Sequence, residues 1–278
     1  MKHYLHPHLA SKSVKVLLVG GGGSGSRMLD NLVLLHRAML ALGHPHGLEV
    51  TLVDDDRVSP ANIGRQAFYP TDVGSYKAIT LINRANMAMG TTQWKASVGR
   101  LTTKTQGVTN FDIVIGAVDN RAARLAILRC LEGAAGGKRY YLDMGNSSDT
   151  GQVVLGEVIP AKAKRDDEWR LPHVGELFPD LIDRAQDSVD DDVPSCSLAE
   201  ALEKQSLFIN PAVSMYAAAL LFQLFAKGEI ESHGAFVNLA HMGAMPLAID
   251  KEVWARFGVQ RDGKSKKVVQ PSRQKKEA

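Results

Sequence analysis

The run Val14 to Val19 (VKVLLV), followed at once by Gly20-Gly21-Gly22-Gly23-Ser24-Gly25, constrains this chain more than any other stretch. A short apolar segment that ends in glycines reads as a buried parallel strand. Met28, Leu32, Leu35, Met39 and Leu42 then recur at helical spacing, and Gly43 supplies a stop. Gly20, Gly22 and Gly25 fit G-x-G-x-x-G between that strand and that helix, the setting in which the pattern carries weight. Glycine permits the tight turn and lets backbone amides approach a phosphate at the positive end of a helix. The turn does not choose between nucleotides, and a glycine-rich turn with no ligand is the plainer alternative.

The order of the following segments sets the fold class. Leu48 to Val53 is a second strand ending in Asp54-Asp55-Asp56, and a helix is predicted from about Asp72 to Met89, closed by Gly90. Gln93 to Val98 and Phe111 to Gly116 are further strands, with a helix from about Asn120 to Leu131 and a short strand at Arg139 to Leu142. Strands alternating with helices imply an α/β fold with a mostly parallel, Rossmann-like sheet and helices on both faces. Gly151 to Ile159 reads as an added edge strand, and Phe236 to Leu239 and Pro246 to Ile249 as late strands extending the sheet in antiparallel fashion. Residues 1–160 are expected to form the nucleotide-binding part, 161–195 a polar crossover loop, and 196–262 a helix and strands completing the same fold. Asn210-Pro211 is read as the N-cap and first position of that helix. The basic end, 263–278, is expected to be a disordered tail.

The residues after the second strand move the ligand away from a dinucleotide. A carboxylate such as Asp54 at the end of that strand suits ribose hydroxyls, which alone would favour a nicotinamide-dependent oxidoreductase. Asn62, Arg65 and Gln66 follow, and Lys77 comes one short element later, placing amide and cationic groups where a triphosphate would lie. Such clamps suit nucleotidyl transfer, because charge builds on phosphorus oxygens. Singly, each residue could equally be a solvated charge or a turn asparagine.

The ordered run D-x-D-x-V at Asp54, N-x-x-R-Q at Asn62 and the downstream Lys77 resembles the ATP site of the ThiF/MoeB/ubiquitin-activating-enzyme family. Asp119-Asn120 at the end of a strand, with Arg124 in the helix beyond, is a further match, and the resemblance covers about residues 14 to 160. More loosely, the length and the region Pro194 to Phe225 resemble ThiF-family proteins of PRTRC gene clusters. The resemblance implies an enzyme that adenylates the C-terminal carboxylate of a small ubiquitin-like or sulfur-carrier-like protein, releasing pyrophosphate. It implies that Gly20, Gly22 and Gly25 line the phosphates, that Asp54 holds the ribose with Asp56 as second choice, and that Asn62, Arg65, Gln66 and Lys77 contact the phosphates. It assigns Mg²⁺ to Asp119, a hard cation on a hard ligand. A homodimer is expected on the same basis. A non-catalytic scaffold subunit of the same fold is the alternative, and its mark, loss of these residues, is not present.

Three departures qualify the match. Many members hold structural zinc on two CxxC pairs, whereas this chain has only Cys130 and Cys196, so no structural zinc is expected. Family dimers commonly insert an N-terminal arginine into the partner's site; the first fifteen residues here contain only Lys2, Lys12 and Lys15 as cations, and Arg27, in the first turn of the phosphate helix, is a candidate substitute. Members that form a thioester keep a cysteine in or after the crossover loop. Cys196, before a predicted helix whose N-terminus would favour a thiolate, is the candidate, with an incidental loop cysteine as the alternative. Cys130 reads as core. His6-Pro7-His8 and His44-Pro45-His46 read as turns, not as one metal-binding helix face.

The bulk numbers add exclusions. A net charge of +3 over 278 residues does not point to nucleic acid. The longest apolar stretch, Ala212 to Phe225, falls short of the roughly 18 to 20 residues a membrane helix needs. The first ten residues lack the apolar core of a signal peptide. The chain is therefore expected in the cytoplasm and away from membranes.

Overall fold

A computed structural model describes residues 1–133, 137–161, 169–183 and 206–260. A two-residue strand, β1 (His3–Tyr4), precedes β2 (Val14–Val19), in which every residue except Lys15 is buried. A strand buried along its length needs cover on both faces, and the elements that follow supply it. They are α1 (Gly23–Ala41), β3 (Leu48–Val53), α2 (Lys77–Met89), β4 (Lys95–Ser97), β5 (Ile113–Gly116), α3 (Arg121–Glu132), β6 (Arg139–Asn146) and β7 (Thr150–Val158). After them come α4 (Val174–Leu177), α5 (Ile209–Lys227), β8 (Glu229–Ile230), β9 (Ser232–Asn238), β10 (Gly243–Ala248) and α6 (Lys251–Arg256).

Eight strands form one sheet in the order β10-β9-β7-β6-β5-β2-β3-β4. The five from β6 to β4 are parallel, and β7, β9 and β10 add to them antiparallel. The fold is thus α/β, with a mostly parallel sheet, helices on both sides and late antiparallel strands. The chain winds outward from β2 through β3 to β4, then returns to the other side of β2 as β5. That reversal leaves a crevice at the carboxyl ends of β2 and β5, where ligands bind in open α/β sheets.

Packing follows the apolar spacing. α1 buries Met28, Leu29, Leu32, Leu35 and Met39, and it lies against α2 and α5. α5 covers β6, β7 and β9 with Val213, Ala217, Leu221 and Leu224. At 19 residues, α5 is longer than the apolar stretch read from sequence, and by length and composition it could cross a membrane. Here its apolar face is instead spent on α1 and the sheet.

Several boundaries differ from the sequence reading. The second helix starts at Lys77, not Asp72, because Asp72 closes a separate 3₁₀ turn at Pro70–Asp72 and accepts the Tyr69 amide at 2.8 Å. Asn210 is not an N-cap: the helix starts at Ile209 with Phe208 at its cap, and the Asn210 side chain points to α1. The strand at Arg139 runs on to Asn146, because pairing with β7 extends the ladder past its parallel partner. The crossover segment is not all open loop. Arg170, Leu171, Val174 and Leu177 are buried, and α4 packs on β7. Cys196 and the basic tail from 263 lie outside the described residues.

Candidate functional site

Strand register brings the separated motifs together. Val19 pairs with Val53 on one side and with Gly116 on the other. The residues just beyond, Gly20, Asp54 and Ala117, therefore lie side by side at the rim of the crevice. The Gly20 amide donates to the Val53 carbonyl at 2.9 Å, and the Ala117 amide to Val19 at 2.9 Å.

The glycines of the turn are there for different reasons. Gly20 has φ +95°, and a Cβ on it would lie 2.5 Å from the Ala117 carbonyl oxygen. A Cβ on Gly25 would stand 1.9 Å from the Gly20 oxygen, so these two glycines let the turn close on itself. Gly23 is excluded from having a side chain by Asn210, whose carboxamide would be 2.6 Å away. Gly22 differs: a Cβ there would meet nothing within 4 Å, so no protein neighbour explains it.

Asp54 holds the turn from below. Its Oδ2 accepts the Gly21 amide at 2.6 Å and its Oδ1 accepts the Asp56 amide at 2.9 Å, each oxygen keeping a second lone pair. Burial raises its pKa, and the Gly21 amide and Lys77 work against that. Lys77 is buried along its stem, and its Nζ donates to Asp56 Oδ2 at 2.8 Å. Asp56, largely exposed, thus serves the lysine.

The Asn62–Gln66 segment is carried over the first turn of α1, since Ser26 Oγ accepts the Ala67 amide at 3.1 Å and Arg84 donates to the Ala67 carbonyl at 2.6 Å. Asn62 spends its side-chain oxygen on the Ser59 amide (2.9 Å), so only its amide NH₂ remains to donate outward. Arg65 Nε, Arg27 Nε and Gln66 Oε1 are buried with no hydrogen-bond partner. Buried polar atoms without a protein partner are uncommon, and water, an ion or a ligand can complete their hydrogen bonding. An arginine fork presented in this state suits phosphate oxygens.

On the other side of the crevice, Asn120 caps α3 by accepting the Ala123 amide at 2.8 Å and leans on Asp119 at 3.3 Å. Asp119 is exposed, three residues beyond β5. Sequence reasoning missed what lies beneath. Arg124 Nε donates to Asp143 Oδ1 at 3.0 Å, the same oxygen accepts the Tyr141 hydroxyl at 2.9 Å, and Asp143 Oδ2 is buried and unpartnered. Burial and the Asp143 charge push the Tyr141 hydroxyl well above its ordinary pKa. The alternation Tyr141-x-Asp143 at a strand end was the available signal, since it puts both side chains on one face. Also missed was a clasp between α1 and α5: Ser24 Oγ donates to Asn210 Oδ1 and Ser214 Oγ to the Ser24 carbonyl, both at 2.8 Å. An open cleft of about 510 Å³ beside this clasp is lined by Arg27, Asp30, Asn31, Phe208, Pro211, Ala212 and Met215, not by Gly20, Asp54 or Asp119.

A glycine turn and an acidic strand end at the carboxyl edge of the sheet, with Arg65 in the loop carried over α1 and Lys77 at the start of α2, coincide with a family. The sequence model of the ThiF family matches residues 9–243. The chain belongs to the ThiF family. A wheat (Triticum aestivum) ubiquitin-activating enzyme E1 1 is 29% identical over 128 residues, which are 43% of this chain and 12% of that enzyme. Among solved structures, E. coli MccB with ATP superposes with a TM-score of 0.53 at 15% identity, over 86% of this chain and 64% of MccB. PaaA superposes with a TM-score of 0.54 at 13% identity, over 85% of this chain and 73% of PaaA. This ThiF-family chain therefore spans about one eighth of the wheat enzyme and under two thirds of MccB. At these identities the structural neighbours establish the fold.

Proposed function

We propose that the chain is an ATP-dependent adenylyltransferase acting on the C-terminal carboxylate of a small ubiquitin-like or sulfur-carrier-like protein. The carrying observation is the pair of buried, unpartnered Arg65 Nε and Arg27 Nε beside a glycine turn whose Gly22 faces open space. ATP fits this donor set: Gly20, Gly22 and Gly25 would line its phosphates, Asp54 its ribose, and Arg65 and Lys77 the charge that develops at phosphorus. A carboxylate oxygen attacks the α-phosphorus, the bond to the bridging oxygen breaks, and pyrophosphate leaves with its electron pair, giving an acyl-adenylate. Positioning and electrostatics drive such a step more than covalent help does. Mg²⁺ would be held by Asp119 and would neutralise the leaving pyrophosphate. E. coli MccB, similar in fold, has been solved with ATP and with MccA, which supports a nucleotide paired with a peptide or small-protein acceptor. A homodimer, a cytoplasmic setting, membership of the PRTRC subgroup and a later thioester at Cys196 belong to the same reading.

The test is ATP–pyrophosphate exchange with a small ubiquitin-like protein encoded nearby. Exchange that depends on that protein's intact C-terminus supports the reading; tight NAD binding without exchange refutes it. Exchange surviving Asp119→Ala removes the metal assignment, and a thiol-sensitive conjugate surviving Cys196→Ser removes the thioester. Light scattering in solution decides the dimer.

A further inference from the structure

At the other end of the sheet from the glycine turn, the N-terminal arm brings two imidazoles onto a buried carboxylate. Glu157 sits on β7 opposite Tyr140 of β6 and is fully buried. His6 Nε2 lies 2.7 Å from Glu157 Oε1, and His3 Nδ1 lies 3.9 Å from Oε2. The three ligand atoms fall within 4.8 Å of one another. We propose that His3, His6 and Glu157 form a divalent transition-metal site of the zinc class, which ties the N-terminal arm to β7.

Geometry and donor chemistry carry this. A tetrahedral ion with nitrogen and oxygen ligands at about 2.0–2.1 Å holds them roughly 3.3 Å apart. The separations to the two Glu157 oxygens, 2.7 and 3.9 Å, fall on either side of that distance, and with all three ligand atoms within 4.8 Å of one another, side-chain shifts of about 1–1.5 Å seat the ion. Two imidazoles and one carboxylate are a borderline-soft set that favours zinc, cobalt or nickel over magnesium or calcium. The outer contacts match those of metal sites, where ligating groups are held by second hydrogen bonds. His3 Nε2 meets the Tyr140 hydroxyl at 2.7 Å, which holds the ring with its Nδ1 edge toward Glu157. The Leu171 amide holds Glu157 Oε2 at 3.0 Å, and the His6 ring stacks on Tyr140 with centroids 4.3 Å apart. The His3-x-x-His6 spacing lets one short arm supply both nitrogens, helped by β1 pairing with β8.

Lys138 is the competitor. Its Nζ lies 3.3 Å from Glu157 Oε1, and its side chain is one-third exposed, so it can swing to solvent when a dication takes over the charge. The chain has no four-cysteine zinc site, and this cluster uses different residues at a different place in the fold. The site lies away from the crevice, so the ion is structural, and the inference stands independently of the adenylation reading.

The experiment uses tag-free full-length protein, because an affinity histidine tag would mask the result. Co²⁺ and Zn²⁺ are titrated in, Co²⁺ followed by its visible d–d bands and Zn²⁺ by calorimetry. One equivalent binding at micromolar concentration with a tetrahedral Co²⁺ spectrum is expected. His3→Ala and His6→Ala should each weaken binding at least a hundredfold, and His8→Ala, a change at an exposed neighbour, should leave it unchanged. Lys138→Met should tighten binding, since it removes the competing cation without touching a ligand. Circular dichroism of each variant confirms the fold. Absence of stoichiometric binding, or affinity in His6→Ala equal to wild type, overturns the proposal and leaves a latch made of hydrogen bonds alone.

Discussion

Two glycines three residues apart in the same turn, Gly22 and Gly25, should respond in opposite ways to one added methyl group. In Gly25→Ala the new Cβ stands 1.9 Å from the Gly20 oxygen, where ordinary contact begins near 3.4 Å. About 1.5 Å of movement is needed, and Gly20 cannot supply it. Its amide is held by Val53, and the space beyond it is closed by the Ala117 carbonyl. The turn must open, straining or losing the Gly20 to Val53 bond and the Gly21 to Asp54 bond. Overpacking costs typically 1–3 kcal/mol, and a hydrogen bond to a charged group contributes about 1.5–3 kcal/mol, so a loss of at least about 3 kcal/mol is expected. In Gly22→Ala the methyl meets nothing within 4 Å, and stability should change by less than about 1 kcal/mol. Nucleotide affinity should nonetheless fall tenfold or more, which corresponds to about 1.4 kcal/mol, because the methyl occupies the approach of the phosphates. Urea unfolding measures the first quantity and titration with a fluorescent ATP analogue the second. Equal destabilisation by both substitutions, or wild-type ATP affinity in Gly22→Ala, would refute the account of this turn.

Further substitutions probe the clamp, its support and a buried histidine. Arg65→Ala and Lys77→Ala should each lower pyrophosphate exchange by about 10²–10³-fold, the usual loss for one preorganised donor, with little change in melting temperature. Asp143→Ala leaves the buried Arg124 guanidinium without its carboxylate and should cost about 3–5 kcal/mol in urea unfolding. His233 is fully buried and neutral, with its Nδ1 on the Leu155 carbonyl at 2.8 Å and its Nε2 accepting Trp254 Nε1–H at 2.9 Å. Burial pushes its pKa down to about 4 from 6.5, so the unfolded chain takes up the proton first. Stability should be full above pH 6.5 and fall by up to about 3 kcal/mol as pH drops toward 4, a slope absent in His233→Gln when both are measured in chelator.

The parallel half of the fold was legible because each of its strands carries its own signal. VKVLLV and FDIVIG are apolar runs that end at glycine, whereas the register that sets Val19 opposite Gly116 came only with the structure. The family motif was legible as an ordered set: Asp54, Asn62, Arg65, Gln66 and Lys77 follow one another within 24 positions. What sequence could not supply were pairings between distant segments. Nothing local to Asn210 says that its carboxamide meets Ser24, and the Asn-Pro dipeptide pointed to a cap that the chain places at Phe208. The polar composition around 161–183 likewise hid Arg170, whose buried charge is received by Glu176 at 2.6 and 2.9 Å and by the Glu157 carbonyl. His6-Pro7-His8, read as a turn, opens the 3₁₀ helix Pro7–Ala10, and the partner that gives His6 a role is 151 residues away.

The Asn210 contact also bears on whether the nucleotide half can stand alone. The glycine turn is not self-supporting on its outer side. Gly23 abuts Asn210, Ser24 bonds to Asn210 and receives Ser214, and α1 packs its apolar residues against α5. β7, which would close a fragment of residues 1–160, takes β9 along Thr150–Val154, so cutting there exposes an apolar strand edge. A fragment 1–160 is therefore expected to lack a cooperative unfolding transition and to bind ATP poorly, despite containing every residue assigned to the nucleotide. Adding residues 206–260 in trans, as a separately expressed segment, should restore both. Cooperative unfolding and full ATP affinity in the isolated fragment would show that α5 covers the turn without supporting it. Asn210→Leu in the intact chain gives the same answer more gently. It removes the acceptor for Ser24 while keeping the helix, so a drop in nucleotide affinity larger than the drop in stability would place the support at that one carboxamide.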